Sequence, residues 1–201
     1  MKIFLKGFCI GLLCLSLLGL LWFLVLQPGL TNGEAQALKE TYTQPLPGES
    51  SGELPAGKEQ PEPESLVDLS ALQAEYPDIQ GWISIPGTCV DYPVQQSSAD
   101  DPEHYLRRTY KGEHRTAGSI FFQWDCTPES KNLVVYGHNM NDGTMFAVLQ
   151  KMAKEAFRNE HSQILLQTSD GLREYHIAAV LKTDIQKLRF NRTEFADDAD
   201  F

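Results

Sequence analysis

At 201 residues the chain has room for one folded domain and a terminal extension, and its 42% hydrophobic content is gathered towards the N-terminus. With 17 Lys and Arg against 27 Asp and Glu the formal charge is −10, and no basic stripe is present; phosphate binding needs clustered Lys and Arg, so a nucleic-acid partner is disfavoured. Four cysteines, two of them inside the apolar N-terminal run, do not make a disulfide framework.

From Phe8 to Leu26 the chain carries no charge, and as a helix this run would be roughly 28 Å long, the depth of a bilayer core. Lys2 and Lys6 precede it and the first charge after it is Glu34, so the positive-inside rule puts residues 1–7 in the cytoplasm and everything after the span outside. Residues 8–26 therefore read as a single-pass signal anchor. The alternative is a cleaved signal peptide, for which Ala35-Gln36-Ala37 offers a site; the apolar run is longer than the usual h-region of about 7–15 residues.

Residues 27–65 are rich in Pro, Gly, Glu, Ser and Gln, with Pro45, Pro47, Pro55, Pro61 and Pro63 among them. Large apolar side chains are too few to offset the entropy of ordering, so the whole segment is expected to be a disordered acidic stalk that holds a domain off the membrane.

The folded domain is expected over 66–201. Leu66, Leu69, Ala71 and Leu72 recur at helical spacing, and Tyr76-Pro77 ends that helix. Residues 81–85 and 89–94 alternate as two strands about a Pro86-Gly87-Thr88 turn. Residues 119–124, 132–136, 164–168 and 173–181 are four further strands, the last two flanking a Ser169-Asp170-Gly171 turn. Between them, Met145, Phe146, Leu149 and Met152 predict a helix over 142–152, with Asp142 as its cap. The class is mainly β with added helices, in the form of a β-barrel. After Phe190 no further strand is seen to close the sheet, so the domain is expected to be incomplete.

Among chemistry-bearing residues, His138 stands directly after an apolar strand, where loops commonly present functional side chains. The bland alternative is a histidine whose ring only hydrogen-bonds the strand end. Residues 81–95 (GWISIPGTCVDYPVQ), 117–121 (AGSIF) and 136–146 (YGHNMNDGTMF) resemble class B sortases in order and spacing, over nearly all of 66–201.

The resemblance implies a sortase-like β-barrel and a cysteine transpeptidase of Gram-positive cell surfaces, membrane-held with its catalytic domain extracellular. It implies that His138 is the catalytic histidine, protonating the leaving amine as a thiolate attacks the threonine carbonyl of a sorting signal, with an arginine steadying the oxyanion. Its partners would be secreted proteins bearing a C-terminal sorting signal, and an amine of peptidoglycan precursor or of a pilin. Leu106, in the pair Tyr105-Leu106, would line the sorting-signal groove; Pro102 stands where the family often has asparagine. The family's T-L-x-T-C motif and following arginine do not occur, and are expected beyond Phe201 together with the last strands. The chain itself would then be inactive, either as a fragment or as a degenerate anchored domain that holds a sorting signal without cleaving it.

Cys89 and Cys126 are poor substitutes for the nucleophile, and two free thiols are the default there. His104, His114, His161 and His176 are expected on solvated surface. Neither a metal nor a cofactor is implied, and Gly137, Gly143 and Gly171 are ascribed to turns rather than to phosphate binding.

Overall fold

The structure is a computed structural model and describes residues 2–22, 27–44, 66–184 and 186–197. Helix α1 covers Lys2–Leu21, and the side chains described from Phe8 to Trp22 are all exposed. Part of the expected span, residues 23–26, lies outside the described residues. Among the described residues no helix is long and apolar enough to cross a membrane.

The expected stalk is corrected over its first part. Residues Gln27–Tyr42 form helix α2, and Thr43–Gln44 form strand β1, which pairs antiparallel with strand β2, Leu66–Val67. Thr31, Ala35 and Leu38 are buried at i, i+4 and i+7, with Tyr42 half-buried below them, so a narrow stripe docks α2 on the domain. Lys39 and Asp91 are paired at 2.8 Å, and Arg115 reaches Glu34. Pro28 sits in the first turn, where its missing N–H costs nothing. The other five prolines of the expected stalk fall in 45–65, which lies outside the described residues.

After β2, Asp68 accepts a hydrogen bond from the Ala71 N–H at 3.0 Å and caps helix α3, Leu69–Glu75. The predicted helix is thus real, but Leu66 belongs to a strand. Strands β3 (Ile79–Ser84), β4 (Asp91–Gln96), β5 (Ile120–Phe122), β6 (Val135–Tyr136), β7 (Gln163–Thr168) and β8 (Gly171–His176) form one sheet of order β6-β5-β4-β3-β7-β8. These six are the six strands expected. The last is shorter than predicted, ending at His176 rather than 181. Every pairing is antiparallel except β4 with β5, whose parallel register needs the long crossover 97–119.

The sheet is open rather than a closed barrel: among the described residues β6 and β8 each pair on one side only. One face packs Ile83, Val94, Ile120, Phe122 and Leu166 with Met145 and Met152. A second cluster joins Leu38 of α2 to Leu69, Leu72, Ile79 and Trp82.

The helix expected over 142–152 is a 3-10 helix, Phe146–Ala153, followed by helix α4, Glu155–Glu160. Asp142 does not cap it. Its carboxylate accepts from the Thr144 N–H at 2.9 Å and from the Thr144 hydroxyl at 2.6 Å, so it closes the turn ahead of the helix instead.

Candidate active site

The loop that carries His138 leaves β6 through Gly137. A Cβ there would lie 2.4 Å from Ile120 Cδ1 and 2.6 Å from Phe146 Cδ2, so the glycine is set by close packing, not by the turn geometry expected for it. Beyond it the loop folds back on itself. The Phe146 N–H donates to the His138 carbonyl at 2.9 Å, Asn139 bridges Met145, and the Gly143 N–H reaches the Met140 carbonyl at 3.2 Å. His138 is therefore fixed by its backbone on both sides.

Among the described residues its half-buried ring has one hydrogen-bond partner: Nε2 lies 2.9 Å from the carbonyl oxygen of Leu106. A carbonyl only accepts, so Nε2 carries a proton, and in the neutral ring the nitrogen with a free lone pair is Nδ1. The two residues singled out as site residues in the sequence, His138 and Leu106, are thus brought together across 32 positions of chain. The contact is made by the Leu106 backbone, which no side-chain argument would have found.

Leu106 is held in the 3-10 turn His104–Arg107. Tyr105 beside it is buried, donates its hydroxyl to Asp78 Oδ2 at 2.5 Å, and has its phenol pKa raised by burial, then by that bond. Gly118 (φ +58°) presses against this turn: a Cβ would stand 2.4 Å from the Leu106 oxygen. The Ser119 N–H then donates to the Tyr105 carbonyl at 3.0 Å. Gly118 stands in the quoted AGSIF run, and its role as the seat of the Leu106 carbonyl becomes visible only in three dimensions.

Cys89 and Cys126 are free thiols and are not bridged to one another. Cys89 donates to the Gly143 carbonyl at 3.2 Å, and Cys126 is buried with its sulfur 3.4 Å from the Asn132 carbonyl. Burial pushes both thiols above their ordinary pKa, the opposite of what an attacking thiolate requires.

His104 (to Asp101) and His176 (to Glu174) pair with surface carboxylates. His161 is a correction to the solvated-surface expectation: its ring packs on Phe157, 4.4 Å between centroids, under Gly87, with Nδ1 3.0 Å from the Pro86 carbonyl. Among the described residues no group of three or more His, Cys, Asp or Glu is arranged to hold a metal ion.

The family model for the Sortase domain matches residues 83–198. Sortase B of Listeria monocytogenes is 38% identical over 136 residues, covering 67% of this chain and 54% of that protein. Sortase B of Staphylococcus aureus is 35% identical over 137 residues, covering 66% of this chain and 54% of that protein. The chain thus spans about half the length of the curated relatives it matches. Among solved structures, a Staphylococcus aureus sortase B-substrate complex superposes with a TM-score of 0.62 at 32% identity, over 66% of this chain and 61% of that one. Sortase B from Listeria monocytogenes superposes with a TM-score of 0.58 at 39% identity, over 66% of this chain and 75% of that one.

Proposed function

The chain belongs to the sortase family, in its class B, and from that premise we propose that it supplies the histidine of a cysteine transpeptidase that cleaves a sorting signal after threonine and joins the product to a cell-wall or pilin amine. The observation that carries this reading is the placement of His138, half-buried on a backbone-locked loop with Nε2 committed to the Leu106 carbonyl. In this geometry the ring gives a proton to the leaving amine from Nδ1, as imidazolium, while the Leu106 bond keeps its orientation. Leu106 would contribute its half-buried side chain to the groove for the sorting signal and its carbonyl to the histidine.

The nucleophile and the oxyanion donor are a different matter. No T-L-x-T-C occurs in the sequence, and the two thiols of the folded domain are shielded and protonated. Residues 1–201 alone are therefore proposed to be catalytically silent. The same observation favours a second reading, a membrane-anchored domain that holds a sorting signal without cleaving it.

Anchoring belongs to the proposal as well. The side chains described from Phe8 to Trp22 are nearly all apolar and none of them is buried against the domain, as expected of a helix whose solvent is lipid. Lys2 and Lys6 would then lie in the cytoplasm, and the sheet would face outwards on a Gram-positive cell.

The test is a fluorogenic library of sorting-signal peptides offered to residues 1–201 and to the same chain extended by the family's T-L-x-T-C segment and arginine. The expected outcome is no cleavage by the first, cleavage by the second, and loss of that activity in His138→Ala. Undiminished turnover by the extended His138→Ala variant would remove His138 from the mechanism. Peptide binding by residues 1–201, with no cleavage by the extended chain, would favour the second reading.

A further inference from the structure

Tyr92 is the second residue of β4, 4% exposed, and points into the core. A phenol buried so deeply must satisfy both its proton and a lone pair, and this one does so on two different elements. Its hydroxyl donates to Asn32 Oδ1 of α2 at 2.6 Å and accepts from the Met145 N–H at 3.1 Å. Burial pushes the phenol up to about 12, so the proton stays in place throughout the neutral range and the arrangement has one direction. The donor is engaged by α2, and a lone pair faces the loop.

Met145 is the residue in that loop least suited to its conformation. At φ 56° and ψ −128° it is the one non-glycine with positive φ among the described residues, a strained state for a side-chain-bearing residue that persists only where the surroundings enforce it. Its side chain is buried in the core, its backbone bridges Asn139, and its amide is held by Tyr92. The next amide, that of Phe146, is bonded to the His138 carbonyl at 2.9 Å. Any relaxation at Met145 is therefore passed directly to His138. A cavity of about 30 Å³ lies between α2, Tyr92 and Met145, too small for a substrate group but enough to let the loop settle differently once the hydroxyl is gone.

We infer that Tyr92 is a positioning residue: its hydroxyl, aimed by Asn32 of α2, holds the Met145 amide and through it the placement of the His138 ring. The helix that follows the apolar N-terminal run thereby has a hand in the histidine loop. The functional weight of this rests on the transpeptidase reading of His138; the physical coupling does not.

The test uses the full chain in detergent micelles, isotope-labelled, with the His138 ring signals and the exchange rates of the Met145 and Phe146 amides as readouts. In Tyr92→Phe the Met145 amide should exchange about tenfold faster or more, the loss of one hydrogen bond, and the His138 ring signals should move. Asn32→Ala, an exposed and mild change, should shift the same signals in the same direction by less. Trp82→Phe is the control: it removes the 2.7 Å bond from Trp82 Nε1 to Asp91 on the same hairpin, and should lower the melting temperature without moving His138.

Superposable His138 signals in Tyr92→Phe, or an equal displacement in Trp82→Phe, would overturn the inference. Because the readout is the ring itself, activity retained by the extended His138→Ala enzyme would sink the transpeptidase reading and leave the coupling standing.

Discussion

Helices α1 and α2 are neighbours in the chain and opposites in surface. α1 is built of Leu, Ile and Phe, yet buries none of the described side chains between Phe8 and Trp22; α2 is short of apolar residues, yet closes part of the core. What separates them is register. In α2 the side chains of Thr31, Ala35 and Leu38 recur on one face and Asn32, Glu34 and Lys39 flank it with polar partners on the domain. In α1 the apolar groups run all round, so no single face is offered to a protein surface. Apolar content thus says which segment avoids water, and position says which one docks.

The largest effect that would break this contrast concerns residues 45–65. Because α2 is docked and β1 pairs with β2, the chain is already held on the domain before residue 45, so α2 and not 45–65 is expected to tether the domain. A protease site introduced there and cut in membrane vesicles should leave residues 66–201 sedimenting with the membranes, held by the docking of α2. Release into the supernatant would restore the stalk. Failure of the uncut chain to sediment would count against anchoring alone.

A smaller effect separates the helices by single side chains. Leu38→Ala should cost about 2–4 kcal/mol in urea unfolding, as for other buried leucines, while Leu15→Ala should leave the domain's midpoint where it was. Equal effects would erase the distinction.

Smallest is the alkaline response. Tyr92 has its pKa raised on folding, so its protonated form is the one favoured by the native state. Its contribution is complete below about pH 10, the ordinary value for tyrosine, and is lost progressively as pH rises towards 12. Tyr92→Phe should flatten the fall in melting temperature over that interval; an unchanged slope would show that the phenol is not shielded as described.

These contrasts show which parts of the molecule were legible from the residues. The β3–β4 hairpin could be read because alternation and Pro86-Gly87-Thr88 are local signals, and the histidine loop because its residues form a long specific run. The parallel partnership of β4 and β5 could not, since nothing local to 97–119 states where a crossover lands. α2 was hidden because its docking stripe sets only one leucine beside a threonine and an alanine, too little apolar content to stand out, and because its composition was pooled with the five prolines of 45–65. The contact of His138 with Leu106 escaped for a different reason: it is made by a backbone carbonyl, whose position depends on Gly118 and on Tyr105 rather than on the identity of Leu106.

The pairing of β1 with β2 also sets a length. In an anchored chain whose span is residues 8–26, the docked helix begins at the next residue, Gln27, so the spacer between them is a single peptide link, roughly 4 Å. Lengthening or shortening 45–65 would not change that height. The histidine would work within a thin layer above the bilayer, so its encounters with membrane-borne partners would be governed by lateral diffusion in two dimensions, and a partner free in the bulk would have to come down to meet it.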